Sequence, residues 1–123
     1  MNPRARFAIL FTGANKAMAV LGMGPSRSYV DVDDTTVSVR MGWAFRLEVP
    51  RSRVRSVAPD HDPVWGWGVH GWRGRWLVNG SSSNLVKLHL DPPAKARIGP
   101  VPITVRELRV SVEDPDGLIA ALT

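Results

Sequence analysis

The sequence predicts a mostly β domain of the α+β class: about seven antiparallel strands closing as a barrel, a short N-terminal helix and a C-terminal capping helix. Three observations predict it. Apolar and polar residues alternate along most of the chain between Tyr29 and Val112, which is the pattern of strands with one buried face. Eleven glycines and ten prolines break that alternation too often for long helices. The terminal EDPDGLIAAL carries helix-start chemistry followed by an apolar stripe.

Taken in order, Phe7, Ile9 and Phe11 alternate and suggest a short first strand. ANKAMAVLG, residues 14–22, reads as a helix because Ala17, Val20 and Leu21 share one face, with Gly22, Gly24 and Pro25 as its stop. Val30 and Val32 alternate with Asp31 and Asp33, and Asp33-Asp34 make a turn. Val37, Val39 and Met41 form the next strand, Gly42 breaks it, and Phe45, Leu47 and Val49 form the third. Pro50 ends that run, and Arg51 to Val57 alternates again. These four strands read as a meander with one face buried.

Residues 58–74 read as irregular and rich in Trp and Gly. Trp76 and Val78 mark a strand, with Trp76 in the core. Asn79-Gly80 and the serines after it signal a turn. Val86, Leu88 and Leu90 follow as a strand, and residues 91–104, DPPAKARIGPVPIT, read as a Pro-rich connection. Leu108, Val110 and Val112 form the last strand. Asp114 as N-cap, Pro115 at the first helical position and Asp116 at the positive helix end start the final helix, whose stripe is Leu118, Ile119 and Leu122. The whole reads as one domain over 1–123: an N-terminal extension over 1–27, barrel strands over 28–112 and the capping helix over 114–122.

Strands that close into a barrel, followed by a terminal helix that plugs one end, resemble a pleckstrin-homology-like (PH-like) domain over residues 28–123. More narrowly, YVDVDDTTVSVRMGWAFRLEVPRSRV, WLVNGSSSNLVKLHL and LRVSVEDPDGLIAAL resemble a group of small actinobacterial proteins of unknown function. The PH-like resemblance implies a binding module. In lipid-binding members of that family the first hairpin loop is basic. Here the matching turn is Asp33-Asp34, whose carboxylates repel a polyanionic headgroup.

Composition narrows the function classes. The chain has 123 residues, no cysteine and a formal net charge of +5. Disulfides, thiolate nucleophiles and cysteine-held metals are excluded, and a cytoplasmic location fits, with a membrane-peripheral one as the variant. Arg4 and Arg6 imitate the start of a signal peptide, yet FAILFTGANKAMAVLGMG is too interrupted to span a bilayer and GMGPSRS lacks a small-x-small cleavage site. The first 28 residues hold Arg4, Arg6, Lys16 and Arg27 and no acid, while the rest is nearly balanced. Nucleic acid is therefore an unlikely partner, since its binders cluster basic residues on one face or helix.

Candidate site residues concentrate in WGWGVHGWRGRW, residues 65–76. Trp65, Trp67 and Trp72 lie in a Gly-rich stretch, where they serve either as an aromatic contact platform or as a plug over the barrel mouth. Arg73 and Arg75, beside Gly71 and Gly74, have the donors for a phosphate or carboxylate. Asp60, His61 and Asp62 stand together without metal-site spacing and read as a turn, so no metal or cofactor is expected. Ser81 to Ser83 form a hairpin tip rather than a nucleophile elbow. The expectation is a non-enzymatic binding or scaffolding module with a protein partner or a second copy of itself. The alternatives are an anionic membrane met by the basic N-terminus and Trp loop, and a small ligand at the barrel mouth.

Overall fold

The computed structural model describes residues 5–11, 27–62 and 68–123. Nine strands are found among them: β1 Ala5–Ala8, β2 Ser28–Val32, β3 Thr36–Met41, β4 Phe45–Pro50, β5 Val54–Asp60, β6 Gly68–Trp72, β7 Arg75–Asn79, β8 Leu85–Ile98 and β9 Val101–Ser111. A helix, α1 Pro115–Leu122, follows. The protein is thus mostly β with one C-terminal helix among the described residues.

The alternation does what it predicts in β2, β3 and β4, which pair antiparallel in sequence order. Val30, Val37, Val39, Met41, Phe45, Leu47 and Val49 are buried, and in β3 and β4 they alternate with exposed or half-buried Ser38, Arg40, Arg46 and Glu48. Asp33 shapes the β2–β3 turn: its Oδ1 accepts from the amides of Thr35 at 2.9 Å and Thr36 at 2.7 Å. That is the local hydrogen bonding for which Asp is favoured in turns. Facing this group across the core are Val86, Leu88 and Leu90 of β8, Leu108 and Val110 of β9, and Val78 of β7. Helix α1 begins as expected. The Asp114 Oδ1 accepts from Gly117 N at 3.0 Å, Pro115 opens the first turn, and Leu118 is fully buried against the core.

Four expectations need correction. The sheet is not closed into a barrel. Its path runs β1-β2-β3-β4-β8-β9-β7-β6, with β5 pairing β8 off that path. The path ends at β1 on one side and at β6 on the other, and among the described strands β1 pairs with β2 and β6 with β7, with no ladder joining the two ends. Isolated bridges, Ile9 to Val112 and Phe11 to Gly80, together with hydrogen bonds such as Leu10 N to the Ser111 carbonyl, tie the segment after β1 to the ends of β9 and β7.

Residues 91–104 are not a loop. β8 and β9 form one long hairpin through them, pairing from Leu85 with Ser111 to Ile98 with Val101. Pro92 and Pro93 only interrupt the ladder, since the register shifts between His89 and Ala94 where two backbone N–H donors are missing. Pro102 is tolerated because its alternate positions, Thr104 and Arg106, turn their backbone polar groups away from β8 toward Trp76 and Gly74.

Residues 58–74 are likewise less irregular than expected: β5 runs to Asp60 and β6 begins at Gly68. The fourth strand also starts later. Arg51–Arg53 form a 3-10 turn before β5, and β5 pairs β8 rather than β4. The helix expected over 14–22 lies outside the described residues, and what is described of the N-terminal extension begins as strand β1, paired with β2.

Candidate functional site

The antiparallel and parallel registers assemble two cross-strand rows on the outer face of β8, β9, β7 and β6. One reads Lys87, Arg109, Leu77, His70 and the other His89, Glu107, Arg75, Trp72. All of them but His89 line a groove of about 420 Å³ between the β6–β7 hairpin and the long hairpin.

Its charges are matched in sign. Asp60 of β5, with a side chain only 3% exposed, accepts from the Arg109 Nε. Arg109 also donates to the Asp62 carbonyl at 2.8 Å. The Lys87 Nζ lies 3.6 Å from Asp62 and 4.0 Å from both Asp60 and Glu107. Glu107 in turn faces Arg75 at 3.8 Å.

Trp72 stands at the rim of this groove, 70% exposed, at the tip of the β6–β7 hairpin. Arg73 takes the first of two positive-φ positions at that tip, before Gly74, and sets its guanidinium 5.5 Å from the Trp72 ring. Trp76 is placed differently. It is half-buried, its ring lies across Gly71, where an added Cβ would meet it at 2.2 Å, and its Nε1 donates to the Thr104 carbonyl at 3.1 Å. It therefore screens part of the β9 edge as well as packing, which a purely core position would not do.

Of the residues singled out by sequence, Trp72 and Arg75 come together in the groove. Arg73 and Arg75 do not converge on one anion position: one guanidinium sits at the Trp72 ring and the other faces Glu107. Trp65 and Trp67 lie outside the described residues. Arg109, Lys87 and Glu107 were missed, and Asp60 was read only as part of a turn.

A second arrangement lies on the outer face of β3, β4 and the distal half of β8. Arg40 is directly opposite Arg46, and Arg46 is directly opposite Arg97. All three are exposed. Among the described residues, no carboxylate forms an ion pair with any of them. Asp31, the nearby acid on β2, is taken by Arg6 at 2.8 Å. That hydrogen bond, opposed by a smaller loss of solvation, holds Arg6 above its ordinary pKa, and its guanidinium also lies 3.9 Å over Tyr29. Like charges directly opposite each other destabilise a sheet. Replacing the middle one, Arg46→Thr, is therefore expected to raise stability by about 0.5 kcal/mol. Urea melts at low salt check this, and an unchanged or lowered midpoint would refute the repulsion.

His61, Ser82 and Ser83 line a further groove near the start of α1. No hydrogen bond joins His61 to either serine among the described residues, and the Ser83 hydroxyl meets that of Ser81 at 3.0 Å. The nucleophile–base contact that a hydrolytic triad needs is not formed there. Among the described residues no group of three or more His, Asp or Glu side chains is arranged to hold a metal ion, and no helix is long and apolar enough to cross a membrane.

Comparison with known proteins returns no match to a family model, a curated protein or a solved structure.

Proposed function

We propose that the chain is a non-enzymatic binding module that takes a protein partner, or a second copy of itself, in the groove beside Trp72. The observation that carries this reading is Trp72 itself, a large aromatic left 70% exposed at the end of a row whose acid and base are matched. Trp and Arg are over-represented among the residues that dominate protein interfaces. Paired ions of both signs suit a surface that itself presents both signs, and suit a polyanion poorly. Strands followed by a terminal helix support a distant PH-like kinship, although the open sheet departs from that family's barrel. With the sheet open, a small ligand would have to use this outer groove in place of a barrel mouth.

A photo-cross-linking amino acid in place of Trp72, in cells that express the protein, tests the reading. A discrete adduct is expected, weakened at least fivefold by Arg75→Glu in the same chain, since removing one partner of an interfacial charge pair costs upward of 1 kcal/mol. An adduct at twice the chain's mass would make the partner a second copy. No adduct from position 72, or the same adduct from a cross-linker at exposed Arg55, would sink the proposal.

A further inference from the structure

The end of the molecule carrying the β3–β4 and β8–β9 turns presents apolar side chains beside unmatched positive charge. Trp43, 62% exposed, lies in the first turn, and Val101, 56% exposed, follows the second. The two turns are fastened together. Gly99 N donates to the Ala44 carbonyl at 3.2 Å, and Trp43 lies over Gly99, where a Cβ would sit 3.8 Å from the ring's Cζ3. Gly99 has φ +54°, a conformation that favours glycine, so the turn admits the ring without a side chain of its own. Pro100 and Pro102, both exposed, flank Val101. These tips form one apolar knob built from two different hairpins.

The row Arg40, Arg46, Arg97 begins just behind that knob. Arg46 is three residues after Trp43 and Arg97 is two residues before Gly99, so the guanidinium groups start within about 10 Å of the tip along the strands. Lys95, exposed, lies on the same face of β8 two residues further on. Glu48 is the acid among them. The register that places three arginines side by side costs stability within the sheet, and an external anion of matching extent removes that cost.

We infer that this end docks on an anionic lipid bilayer, with Trp43 and Val101 entering the interfacial layer and Arg40, Arg46 and Arg97 meeting the headgroups. Charge complementarity selects an anionic surface. The neighbours of Trp43 select the bilayer over a nucleic acid: Val101 and two prolines offer no flat face on which bases stack, whereas aliphatic groups next to an indole suit the boundary between headgroups and acyl chains. Long arginine side chains reach back to headgroup level while their stems stay with the apolar tip. This surface is separate from the Trp72 groove, so a protein partner and a membrane can be held together.

The test is flotation of the full chain with vesicles of phosphatidylcholine alone and with an equal part of phosphatidylglycerol, at 50, 150 and 500 mM NaCl. The chain is expected to float only with the anionic vesicles and to lose that binding as salt screens it. Arg46→Glu with Arg97→Glu is expected to weaken binding at least 25-fold, about fivefold for each arginine removed. The charge-matched pair Arg53→Glu with Arg55→Glu, in the 3-10 turn and at the start of β5, is expected to retain more than half of it. Brominated acyl chains are expected to quench fluorescence in the unaltered chain, and Trp43→Phe, a mild change at an exposed site, is expected to abolish most of that quenching. Thermal melts confirm that each variant is folded. No flotation with anionic vesicles overturns the inference. So does equal loss in both charge-reversal pairs, quenching that survives Trp43→Phe, or retention on a single-stranded oligonucleotide in place of vesicles.

Discussion

Replacing Asp60 with alanine is expected to destabilise the protein by about 3 kcal/mol in urea unfolding, because it removes an acid buried beneath two cations. The Asp60 side chain is 3% exposed and that of Arg109 is 19% exposed. Its Oδ2 takes the Arg109 Nε, while Oδ1 accepts from Asp62 N at 3.2 Å and faces Lys87. Without it, Arg109 loses its buried counter-charge and keeps the neutral carbonyl of Asp62 as an acceptor. A poorly solvated guanidinium without its counter-charge costs more than the pair contributed while intact. The double change Asp60→Leu with Arg109→Leu should accordingly recover most of the loss, since it removes the uncompensated charge and adds apolar contacts. A single-variant cost below about 1 kcal/mol would mean that Arg109 is adequately solvated and that the pair is a surface one. Asp60→Asn separates the two roles. It retains the turn bond to Asp62 N and loses the charge, so most of the cost should remain.

The same residue shows where the sequence stops being readable. Asp60-His61-Asp62 reads as a turn, and the bond from Asp62 N bears that out. Its pairing with Arg109, 49 positions away, leaves no local trace, because ion pairs between strands depend on register. Strands β2 to β4 were legible because their apolar residues alternate within one element. Helix α1 was legible because Asp114 and Pro115 act within one turn. The length of β8 and β9 was hidden by Pro92, Pro93, Pro100 and Pro102, which signal a loop locally and are absorbed at a ladder break, a turn and an edge. Trp density drew attention to residues 65–76, of which Trp72 proved exposed and Trp76 did not. Trp43 stood inside ordinary alternation and gave no such signal. Arg40, Arg46 and Arg97 are each an unremarkable outward residue on its own strand. Only the pairing of β3 with β4 and of β4 with β8 makes them a row.

Gly80→Ala is expected to cost about 3 kcal/mol, at the upper end for overfilling a packed site. A Cβ there would lie 2.3 Å from the Phe11 Cδ2 and 2.7 Å from the Leu10 carbonyl oxygen. The ring alone could turn aside, but the backbone oxygen cannot move independently. Leu10 N donates to the Ser111 carbonyl at 2.9 Å, and the Ser111 hydroxyl donates to Leu10 O at 3.0 Å while accepting from Gly80 N at 3.1 Å. Ile9 and Phe11 are themselves buried, so lifting the segment over residues 9–11 exposes core. Ser111→Ala removes the hydroxyl without adding bulk and should cost only about 1–2 kcal/mol, the usual loss for unmet buried partners. Hydrogen exchange distinguishes the two kinds of damage. In Gly80→Ala the Leu10 amide should exchange much faster, while the β1 amides paired with β2 keep their protection. That outcome would show that residues 9–11 close the gap left by the open sheet independently of β1. Equal loss of protection in β1 would mean that the N-terminal segment opens as one unit with β1, and a cost below about 0.5 kcal/mol, typical of a surface substitution, would mean that it does not rest on Gly80.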